Sequence, residues 1–275
     1  MHRRLVEDNA RRSDFVAARY DDCHPEIFNI TEQQRLEREL QHAVGSIHAS
    51  HRRALDYGCG TGNLTGKLLL RGLEVSAADV SSEMLQVVQE KHRAQTDTGT
   101  LRSVQLPVGF PLPFPDRHFA FVGAYSVLHH IPDYLQAVRE LVRVLDRGGV
   151  LYIDHEHNEE HWRSPLGVRV HRLLTMPRYS FSRVLAWLGM LFGRAEPPLP
   201  PAGRRAIVEE GDIHIYADDH IDWAAIRCIG ADEGLVQVPT SDYLLCREVS
   251  RFPIRHWLCR RFARDMGIYV GFRPA

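Results

Sequence analysis

Asp56, Gly58, Gly60 and Gly62, with Asp79 behind them, are residues whose types and spacing could hold a ligand. A short apolar run, Ala54-Leu55, leads into Asp56-Tyr57; three alternating glycines follow, and Asn63–Leu70 then reads as helix. Strand, glycine turn and helix bring backbone N–H groups and a helix N-terminus against a ligand. One glycine permits a turn with φ > 0, one lets a ligand approach the backbone, and one lets the helix pack on the sheet. A dinucleotide site wants G-x-G-x-x-G/A, which would put its third small residue at Asn63; the pattern here is D-x-G-x-G-x-G. Asp79 closes the run Ala77-Ala78-Asp79, 17 residues past Gly62. An ionised carboxylate only accepts hydrogen bonds, which suits a pair of ribose hydroxyls. The other reading is a loop aspartate that caps the next helix.

Histidine supplies a second kind of chemistry, with 16 residues. Leu128-His129-His130 and Asp154-His155-Glu156-His157, with His161 beyond, each follow an apolar run. Imidazole titrates near neutrality and can take a proton from a hydroxyl or amine. His155, His157 and His161 also invite a metal, but no cysteine accompanies them, and in a helix only His157 and His161 would share a face. No metal is expected. Asp154 and His155 read as lining an acceptor pocket; an exposed polar loop serves equally for His157 and His161. Ile213–Tyr216 and Asp218–His220 form a second such patch.

The elements that must position these residues alternate. Strands are expected at Arg53–Tyr57, Glu74–Asp79, Leu101–Leu106, Phe119–Ala124 and Val150–Asp154, the last entered through Arg147-Gly148-Gly149. Helices are expected at Gly62–Arg71, Ser82–Ala94 and Asp133–Leu145, the last with Leu135, Val138, Leu141, Val142 and Leu145 inward. The alternation implies parallel βαβ units. Residues 1–50 read as helical, with Leu36, Leu40 and Val44 on one face. Residues 155–214 read as an inserted, mostly helical cap carrying Trp162, Trp187 and the stiff run Pro197–Pro201. Residues 215–275 return to the core: helix Asp219–Glu233, a strand near Val236–Leu245, a basic helical stretch Ser250–Met266 and a strand Ile268–Phe272. Two aromatic, basic segments stand out. Pro177–Arg194 reads as a lid over an acceptor, and Arg255–Arg264 as amphipathic packing with a solvated basic face; contact with an anionic membrane is the other reading.

Composition excludes several classes. Lys and Arg total 34 against 35 Asp and Glu, a net charge of −1, which argues against a broad grip on nucleic acid. Val184–Phe192, the longest apolar run, is far short of a membrane span, and Met1–Arg4 leads into charged sequence without a signal core. Five cysteines without C-x-x-C spacing indicate neither a disulfide framework nor a zinc knuckle. A cytoplasmic protein is expected, and a homodimer is allowed.

Ala54–Gly62 resembles motif I of the class I S-adenosylmethionine (SAM)-dependent methyltransferases. Three further segments follow in that family's order: Asp79-Val80-Ser81 with Met84-Leu85, Pro111–Val122 around Leu112-Pro113-Phe114-Pro115-Asp116, and Leu128-His129-His130, ahead of Val144-Leu145 and Gly148-Gly149. Ala18-Arg19-Tyr20-Asp21 resembles the element that closes over the cofactor. The resemblance covers about Tyr20 to Asp154, and more weakly 212–272. It implies a Rossmann-like α/β fold: a seven-stranded, mostly parallel sheet with helices on both faces, here with N-terminal helices and an inserted helical cap. It implies S-adenosyl-L-methionine as cofactor, with Asp56, Gly58, Cys59, Gly60 and Gly62 around the methionine end and Asp79 on the ribose. Val80 and Met84 would pack on adenine, although ordinary core serves equally for Met84. Ala124 and Tyr125 would face the methionine part, and Tyr20 would close over the cofactor. Two positions depart from the pattern: Ala120 replaces the usual aspartate, and Pro107-Val108-Gly109 stand where an acid should bind adenine. The implied activity is methyl transfer to an O, N, S or C nucleophile of a small molecule, with His129 as first and His155 as second candidate base. Alternatives are a SAM-binding regulator without transferase activity and an RNA or protein methyltransferase. The latter is disfavoured by Ala124-Tyr125-Ser126-Val127, where an Asn/Asp-Pro-Pro-Tyr element would stand.

Overall fold

Apolar runs bounded by glycine and acid form the centre of the sheet. Strands β1 (Arg53–Tyr57) and β2 (Glu74–Asp79) have the limits their sequence predicts, and β3 (Leu101–Gln105), β4 (Phe119–Tyr125) and β5 (Leu145–His157) follow. The structure is a computed structural model that describes residues 2–175, 212–216, 218–247 and 253–275. The expected lid segment Pro177–Arg194, Trp187 and the run Pro197–Pro201 lie outside the described residues. After β5 come β6 (Ile215–Tyr216), β7 (Asp219–His220), β8 (Val236–Gln237) and β9 (Met266–Phe272). Seven strands form one sheet in the order β3-β2-β1-β4-β5-β9-β8. The first five are parallel; β9 runs antiparallel to β5 and β8.

Alternation along the strands sends side chains to two cores. Leu151, Ile153 and Tyr269 join Val138, Leu141, Ile226 and Ile229 on one face. Val150, Tyr152, Ile268 and Val270 join Leu36, Leu40, Leu64 and Leu85 on the other. The first face is covered by α8 (Tyr134–Val144) and α11 (Trp223–Asp232). The second is covered by α4 (Ile30–Gly45), α5 (Asn63–Leu70) and α6 (Ser82–Lys91). A sheet covered on both faces is what near-continuous apolar strands require. Ahead of the sheet, α1 (His2–Val16), α2 (Tyr20–Cys23) and α3 (Pro25–Phe28) lead into α4, which Asn29 caps by accepting from Glu32 N. The remaining helices are α7 (Arg93–Asp97), α9 (Glu159–Arg163), α10 (Leu166–Thr175) and α12 (Ile254–Cys259).

Four expectations are corrected. β5 is much longer than Val150–Asp154: it continues as Glu156 and His157 pair with Gly267 and Met266 of β9. The core therefore runs past residue 154, and His155–His157 belong to the sheet, not to a loop of the cap. Asp219–Glu233 is not one helix: Asp219 and His220 pair with Tyr216 and Ile215, and the helix starts only where Asp222 caps Ala225 N. The strand near Val236–Leu245 shrinks to Val236–Gln237 because Pro239 lacks the N–H a ladder needs; a single bridge, Tyr243 to Met266, resumes the pairing. The basic stretch holds only the short α12. It buries His256, Cys259 and Ala263 and leaves Arg260, Arg261 and Arg264 in solvent. Among the described residues no helix is long and apolar enough to cross a membrane.

Candidate active site

The glycine loop is anchored on the neighbouring strand: Gly58 N and Cys59 N both donate to Ala78 O, at 2.8 and 3.1 Å. Gly58 has φ +66, and a Cβ there would lie 2.1 Å from Val127 Cγ2. Gly62 has φ +87 and stands at the N-cap of α5, where a Cβ would press on Val88 at 3.1 Å. Gly60 has φ +49, and nothing lies within 4 Å of the Cβ it lacks, so its backbone faces open space. Gly58→Ala should cost about 2 kcal/mol or more from dihedral strain and overpacking. Adding Val127→Ala should recover only the packing share, as read by thermal unfolding. An unchanged melting temperature in Gly58→Ala would refute this account of the turn.

Asp79 closes β2 with its carboxylate under the loop: Oδ2 accepts from Gly60 N and Oδ1 from Ser81 N, both at 2.9 Å. Ser81, not Asp79, caps α6. Burial pushes the Asp79 carboxyl up, and the two backbone donors work against that. Asp56 accepts from Thr65 Oγ1 at 2.6 Å, and burial raises its carboxyl to about 7. Asn63 Nδ2 is buried without a hydrogen-bond partner. Asp56, Cys59, Gly60, Asn63 and Tyr125 line a small cavity of about 40 Å³ beside the loop.

Two larger cavities lie outside the strand ends. One, of about 330 Å³, is lined by Tyr57, Gly58, Gly60, Asp79, Val80 and Met84, with Leu106 to Phe110 opposite. The other, of about 980 Å³, holds His129, His130, His155, Glu156, Asp212 and Arg247 in its wall. Tyr20, Ser126 and His130 line both. Ser126, just past β4, and His155, at the irregularity in β5 between Asp154 and Glu156, have φ +56 and +65, a conformation that is costly without glycine and that clusters at functional sites. The N-terminal helices form the roof. Asp21 accepts from Thr61 Oγ1 of the glycine loop at 2.5 Å and from Lys91 Nζ of α6 at 2.6 Å, and Asp14 accepts from Ser81 Oγ at 2.5 Å.

The larger cavity is backed by buried charge. Glu156 accepts from Val127 N, Leu128 N and His129 Nδ1 at 2.8, 2.7 and 2.7 Å. Burial opposes the charged form of His129, but Glu156 and Asp212 outweigh it and hold the imidazole up at about 9. Below that pH His129 already carries its proton and is a donor, which disfavours the expected role as a base at neutral pH. His155 Nδ1 is engaged by Tyr125 Oη, Tyr243 Oη and Glu32 Oε1 at 3.1, 3.2 and 3.3 Å. His157 Nδ1 lies 3.0 Å from Met266 Sδ and its ring stacks on His161; burial pushes the His157 imidazole down to about 3.

The His129–Glu156 pair gives a pH signature. The folded value of His129 lies above its ordinary one, so its contribution to stability is full below about pH 6.5 and is lost as pH rises through about 9. Glu156 is held low, so its share is lost only as pH falls below the ordinary carboxylate range. With a chelator present, Glu156→Gln should cost roughly 1–2 kcal/mol at pH 7 and much less at pH 10. Equal losses at both pH values, measured by denaturant unfolding, would remove the ion pair from the account.

Of the residues singled out from sequence, Tyr20, Gly58, Gly60, Asp79, Val80 and Met84 line the 330 Å³ cavity, Asp56, Cys59 and Tyr125 line the small one, and His129 and His155 line the large one. Gly62 and Ala124 line none of the three; Gly62 starts a helix and Ala124 is buried in β4. Glu156, Asp212, Asn63, Glu32 and Tyr243 were missed. Glu32, Asp212 and Tyr243 arrive from distant parts of the chain, where local spacing carries no signal; Asn63 and Glu156 adjoin residues that were singled out, but their types announce neither an unpartnered donor nor a buried carboxylate.

An open α/β sheet with a glycine turn after β1, an acid ending β2 and cavities at the strand ends is the architecture of a nucleotide-type ligand binder. Residues 55–153 match the family model described as a methyltransferase domain. The chain is 38% identical over 104 residues to the demethylmenaquinone methyltransferase of Staphylococcus aureus, covering 36% of this chain and 41% of that protein. It is likewise 38% identical over 104 residues to the ubiquinone/menaquinone biosynthesis C-methyltransferase of Shewanella sediminis, covering 37% and 41%. The chain thus spans about two fifths of the length of the curated relatives it matches. The fold resembles an S-adenosylmethionine-dependent methyltransferase from Mesorhizobium loti, with TM-score 0.54, 17% identity and 86% and 96% of the two chains covered. The magnesium protoporphyrin IX methyltransferase of Synechocystis PCC 6803 is similar too, with TM-score 0.50, 19% identity and 90% and 85% covered. Residues 55–153 thus match a methyltransferase domain, and the sheet that contains them has the fold of S-adenosylmethionine-dependent methyltransferases.

Proposed function

We propose that this chain transfers the methyl group of SAM to a small molecule held in the 980 Å³ cavity. The junction of the two cavities at Tyr20, Ser126 and His130 carries this reading, because a ligand in one meets a ligand in the other there. The residues present suit SAM on three counts. Gly60 leaves a cradle that a Cβ would enter, Asp79 offers acceptor lone pairs, and Asn63 Nδ2 is a buried donor without a partner. Asp79 would accept from the ribose hydroxyls. Val80, Met84 and Leu106 would hold the adenine faces, and the backbone of Pro107–Gly109 would read its edge in place of the missing acid. Asn63 would donate to the methionine carboxylate, and Asp56 would accept from its ammonium. The cofactor supplies an activated methyl on a sulfonium. The N-terminal helices, latched by Asp21 and Asp14, would exclude water and align the nucleophile with that methyl.

Charge in the larger cavity narrows the acceptor. Protonated His129 would donate to a developing or existing oxyanion. His155, with Nδ1 engaged by Glu32, would take a proton through its other nitrogen. An acceptor that reacts as a phenolate or enolate, at oxygen or at the adjacent carbon, suits this pair, and one relative's name specifies a C-methyltransferase. The test is incubation with methyl-labelled SAM and metabolite extracts, followed by mass spectrometry. A labelled small molecule that forms with the wild type and not with Asp79→Ala is expected. No labelled product across varied extracts would overturn the enzymatic reading in favour of a SAM-binding regulator.

A further inference from the structure

We infer that His129, His130 and Asp212 form a binding site for a first-row divalent transition cation in the wall of the larger cavity. This goes beyond methyl transfer and stands without it. The ligand atoms of the three residues all lie within 4.8 Å of one another. Asp212 Oδ1 is 3.1 Å from His130 Nδ1 and 3.8 Å from His129 Nε2. Two atoms that each bind a cation at about 2.1 Å in a tetrahedral site stand about 3.4 Å apart. These two separations bracket that value, and the two imidazoles, within 4.8 Å of each other, close on a cation by side-chain rotation.

Two independent features prepare the set. The first is Glu156, a buried carboxylate that accepts from His129 Nδ1 at 2.7 Å and is fixed by Val127 N and Leu128 N. A carboxylate behind the imidazole fixes its tautomer and aims the other nitrogen, Nε2, at the ligand position; metal-binding histidines characteristically have such a partner. The second is the backbone that brings Asp212 in. Ile213 N and His214 N both donate to His129 O, at 2.9 and 3.2 Å, and His214 Nε2 lies 3.0 Å from Ile131 O. Three bonds or contacts of this kind would be redundant for a solvated loop, yet they hold one carboxylate against two adjacent imidazoles.

The chemistry of the donors selects the ion. Two imidazoles and one carboxylate suit zinc and its first-row neighbours rather than calcium or magnesium, which prefer oxygen cages. Three protein ligands leave at least one coordination position open. All three residues line the larger cavity, and His130 also lines the smaller one. A bound cation would replace the Nε2 proton of His129, and its open position would accept the acceptor oxygen that this proton meets when the site is empty.

The full chain, stripped with chelator, is titrated with zinc by calorimetry and with cobalt(II) by visible absorption, without SAM. One zinc per chain and a tetrahedral or five-coordinate cobalt spectrum are expected. His130→Ala and Asp212→Asn should abolish stoichiometric binding, and Glu156→Gln should weaken it roughly 10- to 100-fold. His161→Ala should leave it intact. Thermal unfolding of each variant, and its affinity for SAM, report the fold separately. Failure of the wild type to bind zinc, unchanged binding in folded His130→Ala or Asp212→Asn, or loss of binding in His161→Ala would each overturn the site. None of these results depends on methyl transfer, so failure of the enzymatic reading is recognised separately by the labelling experiment.

Discussion

Asp79→Ala should weaken binding of SAM and of its demethylated product by roughly 100-fold. Two hydrogen bonds to a charged acceptor are worth about 1.5 kcal/mol each, and about 3 kcal/mol corresponds to that factor. The same carboxylate also satisfies Gly60 N and Ser81 N, so the substitution loosens the loop as well as removing the ribose contact. Asparagine is no gentle replacement, because one of its two terminal groups is a donor and would oppose a backbone N–H. A cofactor analogue lacking the 2′-hydroxyl separates the two effects. The wild type should bind the analogue at least tenfold more weakly than SAM, whereas Asp79→Ala should scarcely distinguish them. Calorimetry measures both. Equal SAM affinity in wild type and Asp79→Ala would defeat the proposed cofactor site.

The largest expected loss of stability belongs to Arg35→Met. Arg35 Nη2 reaches Glu32 Oε1 at 2.5 Å and Asp154 Oδ2 at 2.8 Å, and the guanidinium lies 3.7 Å from the Tyr243 ring centroid. Both carboxylates are at most 2% exposed. Removing the cation leaves them facing each other in a water-poor interior, which costs about 3–5 kcal/mol. Burial alone would raise the Glu32 carboxyl, but His155 and Arg35 prevail and hold it down at about 2. The folded value is thus below the unfolded one, so this stabilisation is present above about pH 4.5 and fades as pH falls toward 2. The gap between wild type and Arg35→Met should therefore be widest near neutrality and narrower at pH 3.5. Urea unfolding at the two pH values reads it. A deficit under about 1 kcal/mol at pH 7 would mean that the cluster does not hold α4 to the sheet.

The centre of the sheet was legible because its signals are local. Arg53–Tyr57 and Glu74–Asp79 are apolar runs closed by glycine or acid, and each begins and ends where those residues stand. The glycine turn and Asp79 could be placed on the same ground. The far edge was harder to read. β5 looked like a five-residue strand because His155, Glu156 and His157 are polar; they are in the sheet because β9, over a hundred residues later, pairs with them. His129 looked like a base from its type and position alone. Its proton is held by Glu156, and nothing in the spacing of Leu128–His130 announces a buried carboxylate 27 residues on. Asp212 was invisible for the same reason: only the backbone bonds from Ile213 and His214 to His129 bring it there.

The place of β9 bears on how the chain is made. Because Met266–Phe272 lies between β5 and β8, the polypeptide emerging from a ribosome has β1 to β5 in hand long before their neighbour appears. During that interval the longest strand presents a bare row of amides and carbonyls, an invitation to intermolecular pairing. Slow translation or premature termination ahead of Met266 would therefore leave a sticky half-sheet, and a chaperone that shelters β5 would matter more to yield than one acting at the glycine turn.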